Sequence, residues 1–424
     1  MTRQSQLFVA APILPDQRRP LADLLDTMTD APGQADPLNQ IVPFGLIRTI
    51  HVARFIILDD PSLADRVGYR GLPPEEPVYL ALVAEADGSA DALLDALVEV
   101  AAPGLRRLFG HCEGFANGDD VALRAWLAAH RIRPAASYVN MPGRTVAQVR
   151  EEAELHRALR AERLRHPHLA PEDLLPALRR AVQHIPLTST KRATLGERVR
   201  EIGHVLLLLA LLAVALPLLV VLAPALLVVL RRHEKADDVI APRPLAERNR
   251  LLASYEDHDL TNQYSAIGSL KPGLFRRWLT IVVLWLISLA ARQIFNRGRL
   301  GRVNTIQFAS WTFLDHRRRI YFASNYDGSR EAYNDDFINK VAFGLNMAFS
   351  NGLGYPRTRW LVLDGARHEQ DFKRFLFHHQ LPTDVWYKAN RGLTTYDMAR
   401  NTRIRKGLAR PLAGDALRRW LAEI

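Results

Sequence analysis

The stretch TIQFASWTFLD, residues 305–315, decides the fold because it is the second of two related copies. Residues 49–59 read TIHVARFIILD, 256 positions earlier (305 minus 49). Asp87-Gly88-Ser89 returns as Asp327-Gly328-Ser329. Four more positions match at an offset of 249 (372 minus 123), namely Leu123, Trp126, Leu127 and His130 with Phe372, Phe375, Leu376 and His379. Such an ordered series of matches predicts an internal duplication.

Both copies alternate hydrophobic runs of strand length with stretches of helical periodicity. The predicted strands are residues 50–58, 78–84, near 114 and 136–139 in the first copy, and 306–314, 320–324, 360–363 and 385–387 in the second. Two helices are predicted in each copy. In the first copy one starts at Ala90 and the other passes through Trp126. In the second copy one carries the apolar stripe Tyr333, Phe337, Val341 and Leu345, and the other ends before Pro382.

This order of elements is typical of the βαββαβ ferredoxin-like unit. We therefore predict an α+β fold with two tandem ferredoxin-like domains, at residues 41–145 and 301–408. A sheet with helices on one face needs its other face covered, and two units packed face to face resemble the dimeric α+β barrel arrangement. The remaining segments are predicted as a mobile N-terminal arm (1–40), a helical linker (146–202) and a C-terminal helix (409–424).

A hydrophobic insert separates the two copies. Residues 205–230 form a run of 26 residues without a charge, and about 20 apolar residues suffice to cross a hydrocarbon core. A second apolar stretch, residues 278–291, is shorter and is flanked by arginines. We predict a membrane hairpin over residues 203–296, with a polar loop at 231–277.

The hairpin is predicted to keep both copies on one side of the membrane, because copies on opposite sides could not cover each other's sheets. Two arrangements stay open, namely two spans or a hairpin that dips into one leaflet with its bend at Pro217. Eight Lys or Arg residues flank the hairpin on the domain side and seven on the loop side. This near tie modestly favours the dipping hairpin.

Composition narrows the function classes. The chain has 424 residues, 48% of them hydrophobic, and a net charge of +11 (56 Lys and Arg minus 45 Asp and Glu), which excludes a disordered tail or a disulfide scaffold. Cys112 is the single cysteine, so a reducing, cytoplasmic setting is indicated and a cysteine-based metal site is excluded. We expect the lipid bilayer as a partner, no nucleic acid and no metal site.

Aromatic and polar residues are concentrated in the second copy, so a candidate site is predicted there. Several have simpler explanations. Asp327 and Ser329 stand where a strand enters a helix, which favours a helix N-cap. His379 ends a short helix, where its ring can bind a free carbonyl group. Residues 364–369 follow a strand and fit either a salt-bridged loop or a ligand site.

Several stretches resemble a family of largely uncharacterised bacterial membrane proteins, over roughly residues 40–410. The resemblance implies membrane attachment and brings no activity. The stretches that carry it are Tyr255-Glu256-Asp257, Asn262-Gln263, Lys271-Pro272-Gly273, Phe275-Arg276-Arg277, Ala309 to Asp315, Ser324 to Ser329 and Trp360 to Glu369.

Ser324-Asn325-Tyr326-Asp327-Gly328 is also similar to the Gly-x-x-Asp-Gly motif of the dye-decolorising peroxidases, without its leading glycine. Those haem enzymes contain two ferredoxin-like halves. The resemblance implies catalytic roles for Asp327, Arg367 and His368. It further implies haem-binding roles for His379, Arg359 and Asn325, with His378 or His368 as other possible iron ligands.

Two functions follow as hypotheses. The first is a membrane-anchored ligand-binding or scaffolding protein, which acts on an apolar or amphiphilic small molecule between the sheets at the cytoplasmic face of the inner membrane. The alternative is a haem- or peroxide-dependent oxidoreductase.

Overall fold

The computed structural model describes residues 4–68, 72–73, 75–188, 194–240, 242–295, 298, 300 and 302–424. Within them the chain forms twelve strands: β1 Gln4–Pro12, β2 Thr29–Ala31, β3 Gln34–Ala35, β4 Ile50–Leu58, β5 Tyr79–Asp87, β6 Ala136–Val139, β7 Thr261–Ser269, β8 Ile306–Leu314, β9 Arg319–Asp327, β10 Thr358–Arg359, β11 Leu363–Asp364 and β12 Val385–Lys388.

Twelve α-helices lie in the same described ranges: α1 Arg18–Asp26, α2 Ala90–Phe109, α3 Asp120–Ala129, α4 Val146–Arg165, α5 Pro171–Val182, α6 Leu195–Ala236, α7 Ala246–Ser254, α8 Leu274–Gln293, α9 Arg330–Phe349, α10 Glu369–His379, α11 Thr395–Leu408 and α12 Gly414–Leu421.

The last strand of each half belongs to the other half's sheet. The six-stranded sheet has the order β1-β5-β4-β12-β3-β2, and the four-stranded sheet has the order β6-β8-β9-β7. Trp386 of β12 lies opposite Arg54 of β4, and Tyr138 of β6 lies opposite Ala309 of β8, both in antiparallel register. Main-chain hydrogen bonds therefore join the two halves, which the sequence patterns do not predict.

The two sheets face each other. Phe8, Ile56 and Val83 of the six-stranded sheet share one buried cluster with Ile267 and Tyr321 of the four-stranded sheet. Helices α1, α2 and α3 pack on the outer face of the first sheet, and α8 and α9 pack on that of the second. Each sheet is thus covered on both faces. The predicted α+β class is confirmed.

Local details recur in both halves. Strands β4 and β8 carry a bulge at equivalent positions. Helices α2 and α9 are each interrupted by one non-helical residue, Ala101 and Val341 respectively. Both helices begin after a serine N-cap, Ser89 or Ser329, whose hydroxyl accepts a hydrogen bond from the backbone N–H three residues later. The N-cap prediction for Ser329 is confirmed.

The N-terminal segment is not a mobile arm over its described part. Strand β1 pairs with β5 along all nine of its residues, and its Leu7 and Val9 are fully buried. Strand β7 occupies the same place beside β9 in the other sheet. The prediction for residues 1–40 was wrong because a strand buried on both faces lacks the alternating pattern of a half-exposed strand.

The insert differs from the predicted hairpin. Helix α6 has 42 residues and continues through Pro217 and Pro224, so Pro217 does not end it. Residues 231–277, predicted as a polar loop, contain the end of α6, all of α7 and β7, and the start of α8. The sequence of β7 looks like that of a loop because it contains many polar residues. Gln263 and Ser265, for example, face the other sheet and are buried although they are polar.

The predicted strand at residues 360–363 is a tight turn. Only two residues on each side pair, Thr358 with Asp364 and Arg359 with Leu363. Trp360 and Leu361 lie between them with φ of 56° and 65°. Their N–H groups donate to Glu234 of α6, at 3.1 and 2.7 Å. A carboxylate that is distant in sequence thus stabilises this turn. The hydrophobic periodicity of residues 360–363 could not predict such a contact.

The weakly marked strand near residue 114 is also absent from the described elements. An isolated bridge between Ile13 and Cys112 is found close to this position. The segment follows α2 directly and has no long partner strand, so the few apolar residues there form a turn.

Candidate functional site

An apolar cavity of about 370 Å³ lies in the second half. Ala266, Trp311 and Phe322 of the four-stranded sheet form its floor, α8 and α9 form its walls, and His379 of α10 lines one end. The cavity is on the outer face of this sheet. The interface between the sheets, where we expected a ligand, is largely filled by side chains, with voids of about 40 Å³ beside His51 and about 10 Å³ beside Arg54 in its described part.

The cavity wall offers almost no polar groups. No Asp, Glu, Lys or Arg lines it within the described ranges. Tyr264 lines it but donates its hydroxyl to the carbonyl oxygen of Leu376 at 3.3 Å. Two buried wall nitrogens have no hydrogen-bond partner among the described residues, Trp311 Nε1 and His379 Nε2. Such atoms are costly to bury unless something binds them.

His379 closes α10 as the sequence suggests. Its Nδ1 lies 2.8 Å from the carbonyl oxygen of Phe375, and His130 makes the same contact with Trp126 in the first half at 2.9 Å. Burial lowers the pKa of His379, which favours the neutral ring. In a neutral ring whose Nδ1–H donates to a carbonyl group, Nε2 is a hydrogen-bond acceptor.

The cavity opens between α8 and α9 onto an exposed apolar surface. Leu286 of α8 and Phe343 of α9 line the cavity and are about half exposed. Trp278, Val282 and Trp285 continue the apolar face along α8, at the spacing of one helix face. An apolar patch beside a cavity is typical of a surface that contacts lipid or another apolar partner.

Two described helices are long and apolar enough to cross a membrane. In Val205–Ala236 none of the most apolar window is buried, whereas 33% of the window is buried in Leu274–Gln293. The second helix combines both environments, because one face packs on the sheet and the other is exposed. The first makes its contacts with the folded body at its C-terminal end.

Buried ion pairs hold the end of α6 against the start of α8. The carboxylate of Asp237 accepts from Lys271 Nζ at 2.9 Å and also pairs with Arg276. Burial lowers the pKa of Lys271 to about 8, although the charge of Asp237 acts in the opposite direction. One turn earlier, Glu234 binds the β10–β11 turn. The base of α6 is therefore rigidly joined to the second half.

Asp327 holds the start of α11. Its carboxylate accepts from the backbone N–H of Thr395 at 2.7 Å, from the Thr395 hydroxyl and from Gln307 Nε2 at 3.0 Å. Burial raises the pKa of Asp327, and the hydrogen bonds from Thr395 and Gln307 oppose that change. In the first half Asp87 likewise accepts from the N–H of Val146 at the start of α4, at 2.8 Å. Asp327 thus binds the first residue of α11, whose N-cap is Thr394, and the N-cap prediction for Asp327 was wrong because Ser329 caps the helix that follows it in sequence.

Asn325 belongs to the contact between the sheets. Its Oδ1 accepts from Arg54 Nη2 at 2.7 Å and from Trp386 Nε1 at 3.0 Å. Arg54 is buried and also donates to the carbonyl oxygen of Tyr264 and to Ser265 Oγ, both at 2.9 Å. Sequence analysis missed Arg54. A lone arginine in an otherwise apolar strand is the signal that could have identified it.

The other predicted residues lie at the surface. Arg359 and Asp364 form an exposed ion pair at 3.3 Å, and Arg367 and His368 are exposed between the β10–β11 turn and α10. His378 instead contacts Asp65, with 2.7 Å between Nε2 and Oδ2.

The predicted haem residues therefore occupy three separate places. Asp327 and Asn325 lie at the sheet interface, Arg359, Arg367 and His368 at the surface, and His379 in the apolar cavity. The resemblance to the dye-decolorising peroxidases implies an axial ligand, a distal acid and an arginine around one haem. The described residues do not provide that arrangement, so the geometry does not favour haem chemistry.

Comparison with known proteins returned no family model, no curated protein and no solved structure that matches this chain. The resemblances drawn from short motifs therefore stay predictions, and the functional argument depends on the geometry described above.

Proposed function

We propose that this protein binds an apolar or amphiphilic small molecule in the cavity between α8, α9 and the four-stranded sheet, while attached to a membrane surface. The observation that carries the proposal is the apolar cavity itself, which opens beside exposed apolar residues of α8 and α9. Its volume of about 370 Å³ falls in the range of ligand sites, about 300–1,000 Å³. A ligand that leaves the bilayer would enter without crossing water.

Helix α6 supports the membrane part of the proposal. Its apolar residues are exposed on all sides, with Leu206, Val214 and Leu222 each more than 40% exposed. A helix that is hydrophobic all round needs an apolar environment, and within the described residues none of its most apolar window is buried in the body. A bilayer supplies that environment.

The two ends of α6 support attachment from one face of the membrane. Thr188, seven residues before Leu195, donates its backbone N–H to Glu151 of α4 at 2.6 Å, and Leu230 near the other end is buried in the body. Seven residues reach at most about 25 Å, whereas residues 195–230 form about 52 Å of helix. A straight crossing away from the body would exceed that reach, which favours α6 lying in the near leaflet.

We also propose that the two halves are copies of one ferredoxin-like unit that have exchanged their last strands. With β1 and β7 included, each half contains the elements of a βαββαβ series. The matched bulges, helix interruptions and serine caps support a common origin. We place the body at the cytoplasmic face of the inner membrane, a setting that suits its single, buried and free Cys112.

Ligand binding is tested by filling the cavity. Gly344 of α9 lines it, and nothing lies within 4 Å of a Cβ added there. We expect Gly344→Phe to remove the lipids that co-purify with the wild-type protein, as measured by extraction and mass spectrometry. Asn339→Phe adds the same side chain to the exposed side of α9 as a control. Equal lipid content in all three proteins would contradict the proposal.

Membrane attachment is tested by washing and by labelling. We expect the protein to stay in the membrane pellet after high-salt and alkaline washes, and release by salt alone would contradict insertion. After Cys112→Ser, single cysteines at the exposed positions Glu75, Ser254 and Arg391 should resist an impermeant thiol reagent in intact cells. Opposite results at Glu75 and Arg391 would overturn the pairing of the halves, and labelling at Ser254 alone would contradict the place of β7 in the four-stranded sheet.

A further inference from the structure

The cavity has no means of binding a charged headgroup. No Asp, Glu, Lys or Arg lines it within the described ranges, burial favours the neutral ring of His379, and an unpaired charge in an apolar site is strongly unfavourable. An ionised carboxylate, phosphate or ammonium group would therefore be excluded or would stay outside the mouth. The group that enters must be neutral.

The two unpartnered nitrogens differ in what they need. His379 Nε2 is an acceptor, because its Nδ1–H is already committed to the Phe375 carbonyl oxygen at 2.8 Å. Trp311 Nε1 can only donate. A ligand that satisfies both atoms must present a hydrogen-bond donor at one place and an acceptor oxygen at another.

Strand pairing sets the separation of these two places. Trp311 of β8 is opposite Phe322 of β9, which is opposite Ala266 of β7. The His379 ring packs against Gly268, two residues further along β7. Two strand spacings correspond to about 10 Å, so the two side chains reach the cavity from backbone positions on opposite sides of β9.

From these observations we infer that the ligand is an uncharged lipid with a hydroxyl group, which donates to His379 Nε2, and a separate acceptor oxygen, which accepts from Trp311 Nε1. This inference rests on the proposed function, because it specifies the ligand of the same cavity. Ester or ether lipids with a free hydroxyl group have this chemistry.

The test compares probes of equal chain length on the delipidated full-length protein in non-ionic detergent. Hexadecanol, methyl palmitate, palmitate and hexadecane each compete with the fluorescent hydrocarbon diphenylhexatriene. We expect hexadecanol and methyl palmitate to bind more tightly than hexadecane, and palmitate to bind most weakly at pH 8. Tighter binding of palmitate would overturn the uncharged-lipid inference and leave the proposed function standing. Failure of all four probes to compete would contradict the proposed function itself.

Two variants assign the contacts. His379→Phe should weaken hexadecanol binding about three- to tenfold, the value of one buried hydrogen bond, and leave methyl palmitate unchanged. His379→Gln retains an acceptor and should restore part of the loss. Trp311→Phe should weaken methyl palmitate binding instead. His378→Phe, next to the site but paired with Asp65, is the matched control, and unchanged hexadecanol binding in His379→Phe would refute the hydroxyl contact.

Discussion

The space between helix and sheet is filled in the first half and open in the second. Gly104 of α2 lies against the backbone of Ile41, and a Cβ added there would come within 1.8 Å of the Ile41 oxygen. Gly344, 240 positions later in α9 (344 minus 104), meets nothing within 4 Å. The same architecture thus supports a packed core in one half and a cavity in the other.

The side chains that fill this space come from the segment between the first two long strands, which are β1 and β4 in the first half and β7 and β8 in the second. In the first half this segment contributes Leu21, Leu25, Ile41 and Phe44 to the core. In the second half it is mainly α8, with 20 residues against 9 in α1, and α8 turns much of its apolar surface outward. The comparison shows a filled core in the first half and an open cavity in the second, where we propose that a ligand binds.

The largest effect should come from removing the cation that joins the sheets. Arg54→Ala leaves carbonyl and side-chain oxygens of the other half unpaired in the interior, and we expect a loss of about 3–5 kcal/mol in the free energy of unfolding. The hydroxyl of Ser310, its counterpart 256 positions later (310 minus 54), accepts one hydrogen bond within the described residues, from Gln6 Nε2 at 2.6 Å. Ser310→Ala should cost about 1 kcal/mol. Denaturant unfolding in detergent measures both, and equal losses would contradict the asymmetry.

The same substitution should have opposite effects at the two equivalent glycines. Gly104→Ala forces a clash with the Ile41 backbone and should destabilise by about 1–3 kcal/mol. Gly344→Ala adds a methyl group in open space within a helix and should stabilise by about 0.5–1 kcal/mol. The melting temperatures of the two variants, each compared with the wild-type protein, measure both effects. Parallel shifts would show that the cavity is not open in solution.

Asp327 and Asp87 each bind the start of a later helix and one side chain at an equivalent strand position, Gln307 for Asp327 and His51 for Asp87. We expect Asp327→Ala to cost about 2 kcal/mol and Asp87→Ala about 1–2 kcal/mol, because Asp327 also binds the hydroxyl of Thr395. Ligand binding should be unchanged in both variants. If Asp327→Ala abolished binding at an unchanged melting temperature, Asp327 would be a functional residue and the structural interpretation would fail.

The last prediction is a pH dependence to which Glu85 contributes in the first half, beside Glu256 and Asp384 in the second half, whose pKa values burial also raises. Glu85 lies between the sheets, and burial raises its pKa to about 8, although the charge of Arg54 lowers it. A raised pKa means that the folded protein holds the proton more tightly, so this contribution to stability is complete below pH 4.5 and is lost as the pH rises through about 8. Asn325 occupies the equivalent position in the second half, 240 residues later.

Glu85→Gln should therefore flatten the decline in melting temperature between pH 5 and pH 9. The wild-type protein measured over the same range provides the reference. An identical decline in both proteins would assign the pH dependence to other groups.

The sequence predicted those elements whose pattern is local. Strands β6 and β8 were predicted to the residue, because each is a hydrophobic run with clear ends. The concentration of aromatic residues such as Trp311 also pointed to the half that holds the cavity. The exchange of β6 and β12 was not predictable, since hydrophobicity shows that a strand is buried and does not identify its neighbour.

Of the candidate site residues, His379 lines the cavity and the others lie elsewhere, for a related reason. Asp327 and Asn325 stand out in sequence because they are polar and lie at strand positions, yet both are used to join parts of the fold. The cavity depends on groups that are not there. Gly344 has no side chain to fill the space, and His379 Nε2 has no hydrogen-bond partner among the described residues. The shape of a cavity depends on how all the surrounding elements pack, so no short sequence motif predicts it.

The strand exchange also fixes an order of events during synthesis. Strand β4 is complete at Leu58, but its neighbour β12 begins at Val385, 327 residues later (385 minus 58). At a synthesis rate of about 5–20 residues per second, one edge of β4 has no partner strand for roughly 16–65 seconds. Both long apolar helices leave the ribosome within that interval. The nascent chain therefore exposes its apolar helices while an unpaired strand edge is still open to incorrect pairing, and neither sheet is complete when they emerge.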